Sequence, residues 1–192
     1  ACRLAEFIFE SGKAGRNEVY LPVYSFFFEG FNHLITQLIH ESTGKSGKGP
    51  TVLALSAPES QHHSNQRFFG GPKNMVGVFV TVENTGGSMN ITVPAAAKEL
   101  PLRTGKLGML TGADLQRSLL SEAQGTMADA KEQGIPLAHL EIDKLMPETI
   151  GEYLVFWQFV AYYLAILQGV DPFDQPQVER SKEISFKLRI KS

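Results

Sequence analysis

Two short, unbroken apolar runs, "TVLALSA" (51–57) and "MVGVFVTVE" (75–83), do most to limit what this chain can fold into. Neither alternates apolar with polar residues, as a half-exposed strand does, so both read as strands buried on two faces. Helical stretches lie between these and the other strands. Strand-like "EVYLPVYS" (18–25) precedes Phe27, Phe31, Leu34, Ile35 and Leu38 at helical spacing. "GADLQRSLLSEAQGTMADAKEQG" reads as a helix stopping at Gly134, with a strand in "IPLAHLEI" after it. A longer helix, from Pro147 in its first turn to Gln168 before the stop at Gly169, comes next, and a last one runs from near Gln175 towards Leu188. Strands alternating with helices predict an α/β fold: a doubly wound, mainly parallel sheet with helices on both faces. From Glu83 to Leu110 the pattern is irregular and supports one strand, "NITVP".

With 192 residues, 43% of them hydrophobic, the chain fits one domain with a sizeable core. Its 18 basic and 20 acidic residues leave a formal charge of −2, so no net field draws it to nucleic acid or to a membrane surface. "YLVFWQFVAYYLAIL" (153–167) is fifteen residues long; a bilayer takes about 20 apolar residues to span, so a buried core helix is the expectation. The single Cys2 and the lack of a charged-then-apolar leader predict an intracellular protein, and Ala1 in place of Met suggests a chain that continues upstream.

The loop "HESTGKSGKG" (40–49) has the composition of a phosphate cradle but not its spacing. A nucleotide-binding loop needs Gly, four residues, then Gly-Lys-Ser/Thr, and counting back from Gly44-Lys45-Ser46 puts Ile39 at the first glycine. The neighbours His62 and His63 point in different directions with no ligand at a metal-site spacing, so no metal is expected. Glu179 and Lys182, three apart on the last helix, read as a surface ion pair. Lys45 and Lys48 read as loop charges.

Two longer stretches change the weight of these residues. "QLIHESTGKSGKG" from Gln37 and "ETIGEYLVFWQFVAYYLAILQGVDPFDQPQVERSK" from Glu148 resemble the phosphoglucose isomerase family, in particular its shorter bacterial and archaeal members. The second stretch carries the more specific motif, Phe173-Asp174-Gln175 followed by Val178-Glu179-Arg180-Ser181-Lys182. Two positions depart from the pattern: His40 and Gln177 stand where the family more usually has small residues.

The resemblance implies a flavodoxin-like sugar-isomerase (SIS) domain, with residues 1–192 forming the C-terminal domain and the N-terminal one lying outside this sequence. It implies aldose–ketose isomerisation of a hexose 6-phosphate, glucose 6-phosphate to fructose 6-phosphate, in the cytoplasm and without a cofactor. Glu41 would move the proton between C1 and C2. His62 would open the sugar ring, with His63 as the alternative, and Lys182 would assist; Lys45, His63 and Gln175 would contact substrate. The chemistry suits those types: an enediol route needs one carboxylate that can take and return a proton, and ring opening needs a group that titrates near neutrality. Glu41 precedes the strand 51–57 and His62 follows it, so seven residues of strand hold them about 20 Å apart within one chain. A homodimer with shared active sites would resolve the separation. The family's phosphate-binding loop and Gly-Gly-Arg segment have no match here, so the isolated chain is expected to be weakly active or inactive. The other readings are a non-catalytic sugar-phosphate-binding or assembly module, and part of a transaldolase/isomerase fusion.

Overall fold

In the computed structural model, which describes residues 1–87 and 89–190, four strands form one parallel sheet. They are β1 (Glu18–Tyr24), β2 (Thr51–Ser56), β3 (Met75–Asn84) and, after a minimal hairpin of β4 (Pro101–Leu102) and β5 (Gly105–Lys106), β6 (Leu137–Lys144). The order across the sheet is β2-β1-β3-β6. Among the described residues six α-helices accompany it: α1 (Cys2–Lys13), α2 (Phe31–Thr43), α3 (Gln61–Gly70), α4 (Leu115–Glu132), α5 (Pro147–Gln168) and α6 (Pro176–Arg189).

The alternation of side chains along β1 and β3 explains why helices cover both faces. Val19, Leu21 and Val23 with Val76, Val78, Val80 and Val82 point to one side, where α1, α2 and α5 pack on them. Tyr20, Tyr24, Met75 and Phe79 point to the other, against Phe68 of α3 and Ala123, Met127 and Ala130 of α4. The continuous run in β3 is therefore two half-patterns, each matched to its own core, and the expected doubly wound α/β fold is the one observed.

Gly77 is where this packing is tightest. A Cβ there would lie 2.6 Å from Cε2 of Phe79 and 3.3 Å from Cζ of Phe68, so the ring of Phe79 occupies the space a side chain would need. Gly77→Ala should cost about 1–3 kcal/mol through overpacking, read as a lower urea midpoint at unchanged slope. An unchanged midpoint would mean that the two rings can move aside.

Several expectations from sequence are corrected. β2 is an edge strand, paired only with β1 among the described residues; apart from Val52 its residues are partly or fully exposed, so it is not buried on two faces. "NITVP" joins no sheet: its backbone bonds locally to residues 112–115, with Ile91 N donating to Ala113 O at 2.8 Å and Gly112 N to Ile91 O at 2.9 Å. Phe27 belongs to a short 3₁₀ turn (Phe26–Phe28) ahead of α2 and is exposed. Helices α1 and α3 occur where the sequence pattern marks no element.

The long apolar helix is only half a core helix. Through Tyr153, Trp157, Val160, Ala161, Leu164 and Ala165, α5 packs on α1, α2 and the sheet, while Val155, Phe159, Tyr162, Ile166 and Leu167 stay exposed. By length and composition alone it could cross a membrane. Its buried stripe instead makes it the outer wall of the domain. Helix α6 buries none of its residues.

Candidate active site

The last turn of α2 carries Glu41 because Ile35, Ile39 and Thr43, one helical turn apart, face the core and leave the neighbouring stripe on the α5 side. On that stripe Leu38, Glu41 and Ser42 form one wall of an open cleft of about 570 Å³. Phe159 and Tyr162 of α5 and Phe173 of the following turn form its apolar side. Both oxygens of the half-buried Glu41 carboxylate accept an amide N–H: Oε1 from Gln37 Nε2 at 3.1 Å and Oε2 from Gln175 Nε2 at 3.3 Å. Two neutral donors fix the orientation of the group, and no ion pair among the described residues includes it. Glu41 and Gln175, 134 residues apart in the chain, are thus brought together.

The lysine loop after Glu41 serves the helices around it. Lys45 is 6% exposed, and its Nζ donates to the backbone carbonyl of Asp171 and pairs with Asp174 Oδ1 at 2.9 Å. Lys48 Nζ donates to Gln168 O at 2.7 Å. Helix α5 has no basic residue in its own last turn, so the loop supplies the cation that its carbonyl end lacks. His40 is also engaged locally, since its Nε2 accepts the backbone N–H of Val52 at 3.0 Å, at the start of the edge strand. That contact ties the end of α2 to the start of β2.

The other candidates lie elsewhere. His62 and His63 are exposed in the first turn of α3, beyond the far end of β2, with His63 Nδ1 2.9 Å from Ser64 Oγ. The six residues of β2 span about 20 Å, so His62 stands well away from Glu41 in the same chain. Just before His62, Gln61 Nε2 donates to Tyr24 Oη at 2.7 Å and to Thr126 Oγ1 at 3.1 Å, which ties the start of α3 to β1 and α4. Burial pushes the Tyr24 phenol above its usual range, so it stays protonated at neutral pH. Lys182 pairs with Glu179 at 2.7 Å on an exposed face of α6, the surface pair the spacing suggested. It lies seven residues beyond Gln175, about 10 Å along the helix axis, and does not line the Glu41 cleft.

Sequence reasoning missed Gln37, whose position four residues before Glu41 was the available signal. It also missed Asp171 and Asp174 as the partners of Lys45. No group of three or more His, Cys, Asp or Glu among the described residues is placed to hold a metal.

No family model matches the chain, but known proteins resemble it in sequence and fold. A glucose-6-phosphate isomerase of Leptospira biflexa is 29% identical to it over 152 residues, 79% of this chain and 32% of that protein. One from Acholeplasma laidlawii is 30% identical over 169 residues, 88% of this chain and 37% of that protein. The chain is similar in sequence to these glucose-6-phosphate isomerases over most of its own length. It spans about a third of the length of the curated relatives it matches. Among solved structures, a Thermus thermophilus protein described as hypothetical superposes on 96% of this chain and 44% of its own at a TM-score of 0.87 and 24% identity. At that identity the likeness concerns the fold.

Proposed function

We propose that these residues form the C-terminal sugar-isomerase domain of a glucose-6-phosphate isomerase, interconverting glucose 6-phosphate and fructose 6-phosphate through an enediol. The observation that carries this reading is the Glu41 carboxylate, held by Gln37 and Gln175 in a cleft with an apolar wall. In the open-chain aldose, a carboxylate at this position takes the C2 proton while the C1 oxygen is protonated, leaving the enediol. Returning the proton to C1 as the O2 proton leaves gives the ketose. One carboxylate thus acts as base and then as acid, which needs a fixed group reaching both carbons. Gln175 is suited to a hydroxyl of the sugar, and His62, or its neighbour His63, to ring opening. Lys182 would assist that step. The activity and substrate belong to a longer protein than this chain, which supplies only part of the relatives' length.

The separation of Glu41 from His62 supports a homodimer in which each site takes Glu41 from one subunit and His62 from the other. Mixing Glu41→Gln chains with His62→Ala chains should then restore about a quarter of the parental activity, since half the dimers are mixed and half the sites in each are whole. The assay uses a chain that supplies the rest of the relatives' length. Absence of recovery after demonstrated subunit exchange would rule out sharing.

A further inference from the structure

We infer that Lys45 is a positioning residue for Glu41, acting through the turn at residues 171–175, and not a ligand of the substrate. This rests on the reading of Glu41 as the proton-transfer group. The ammonium is buried, and both of its partners, the Asp171 carbonyl and the Asp174 carboxylate, lie in the turn between α5 and α6. Asp171 Oδ1 in turn accepts the backbone N–H of Phe173 at 2.8 Å, which keeps the turn folded on itself. Gln175 sits at its end, with its amide on Glu41 Oε2. Phe173 and Pro172 of the same turn line the cleft beside Glu41.

Lys45 follows Glu41 by four residues, so the strut and the carboxylate it serves leave the same helix end. Gly44 closes α2, and Lys45 N donates to Thr43 O at 2.8 Å, turning the lysine inward while Glu41 faces the cleft. Two of the three N–H donors of this buried cation are taken by a backbone carbonyl and a carboxylate of the turn, and Lys45 does not line the cleft. Without it, Asp174 and the carbonyl of Asp171 lose their shared partner, and the turn is released from the end of α2. Gln175 then no longer pins one oxygen of Glu41.

The test uses Lys45→Met, which keeps the length of the side chain and removes its charge, and Lys45→Arg, which keeps the charge. Both are made in a chain completing the relatives' length, with Glu41→Gln beside them. A displacement of about 1 Å at the reacting group should lower kcat about 100-fold in Lys45→Met, with KM for fructose 6-phosphate nearly unchanged and much of the loss recovered by Lys45→Arg. If Lys45→Met does not fold, Asp174→Asn, on the half-exposed side of the pair, should lower kcat in the same direction. An unchanged kcat in a folded variant, or a raised KM at unchanged kcat, overturns the inference while leaving the isomerase reading intact. A parental chain without isomerase activity overturns both.

Discussion

Replacing Glu41 by Gln should lower kcat for fructose 6-phosphate isomerisation about 1,000-fold while leaving the fold in place. The substitution keeps the shape of the side chain and removes its ability to hold a proton. Locally it turns one acceptor into a donor opposite the amide of Gln37 or Gln175, a change at a half-buried site that costs about 1 kcal/mol. The thermal midpoint should therefore move by only a few degrees. The contrast between a large kinetic and a small stability effect separates a chemical role from a structural one. A matching collapse of both would make Glu41 a fold residue, and an unaffected kcat would remove it from the mechanism.

Trp157→Ala should have the largest effect on stability. The indole is 1% exposed in the core between α5, α2 and the sheet, and its ring meets Tyr153 edge-on at 6.2 Å and Phe156 at 5.7 Å. Removing it takes away apolar contact and leaves a cavity lined by Tyr153 and Val160, at a cost of about 3–5 kcal/mol. That is a large share of the roughly 5–15 kcal/mol that holds a domain folded. Because α5 forms one wall of the Glu41 cleft, loosening it should also release Phe159 and Tyr162. Chemical denaturation of the 192-residue chain checks the value; a loss below about 1 kcal/mol would show that α5 is held mainly by contacts elsewhere along its length.

The sheet was legible in the sequence through the unbroken apolar run of β3, which is buried on both faces, and the strand-like pattern of β1, whereas the same kind of run in β2 belongs to an edge strand. Their helices were legible where an apolar stripe recurs, as in α2, and where Pro and Gly mark both ends, as in α5. Helix α3 was not legible, since "QHHSNQRFFG" buries only Ser64 and Phe68 and has almost no stripe to detect. The edge position of β2 was hidden for a different reason: pairing on the outer side is a property of the whole sheet, not of six residues.

At the candidate site, Glu41 and the motif ending at Lys182 were readable as residues, but not the contacts between them. Nothing local in "HESTGKSGKG" says that Lys45 reaches Asp171, 126 residues further along the chain, and Asp174 just beyond it. The composition that suggests a phosphate loop arises instead because a basic turn meets the carbonyl end of α5 and the acidic turn after it. The family resemblance implies substrate contacts at both Lys45 and Gln175; within the chain, Lys45 ties down the turn and Gln175, at the end of that turn, touches Glu41.

Solvent isotope exchange tests the proton-transfer role of Glu41 most directly. In heavy water, a chain carrying this sequence and the remaining length of its relatives should place deuterium at C1 of fructose 6-phosphate and at C2 of glucose 6-phosphate, followed by NMR. The same chain with Glu41→Gln should show no incorporation over the same time. Exchange at the parental rate without the Glu41 carboxylate would contradict the account, because the proton would then be moved by another group.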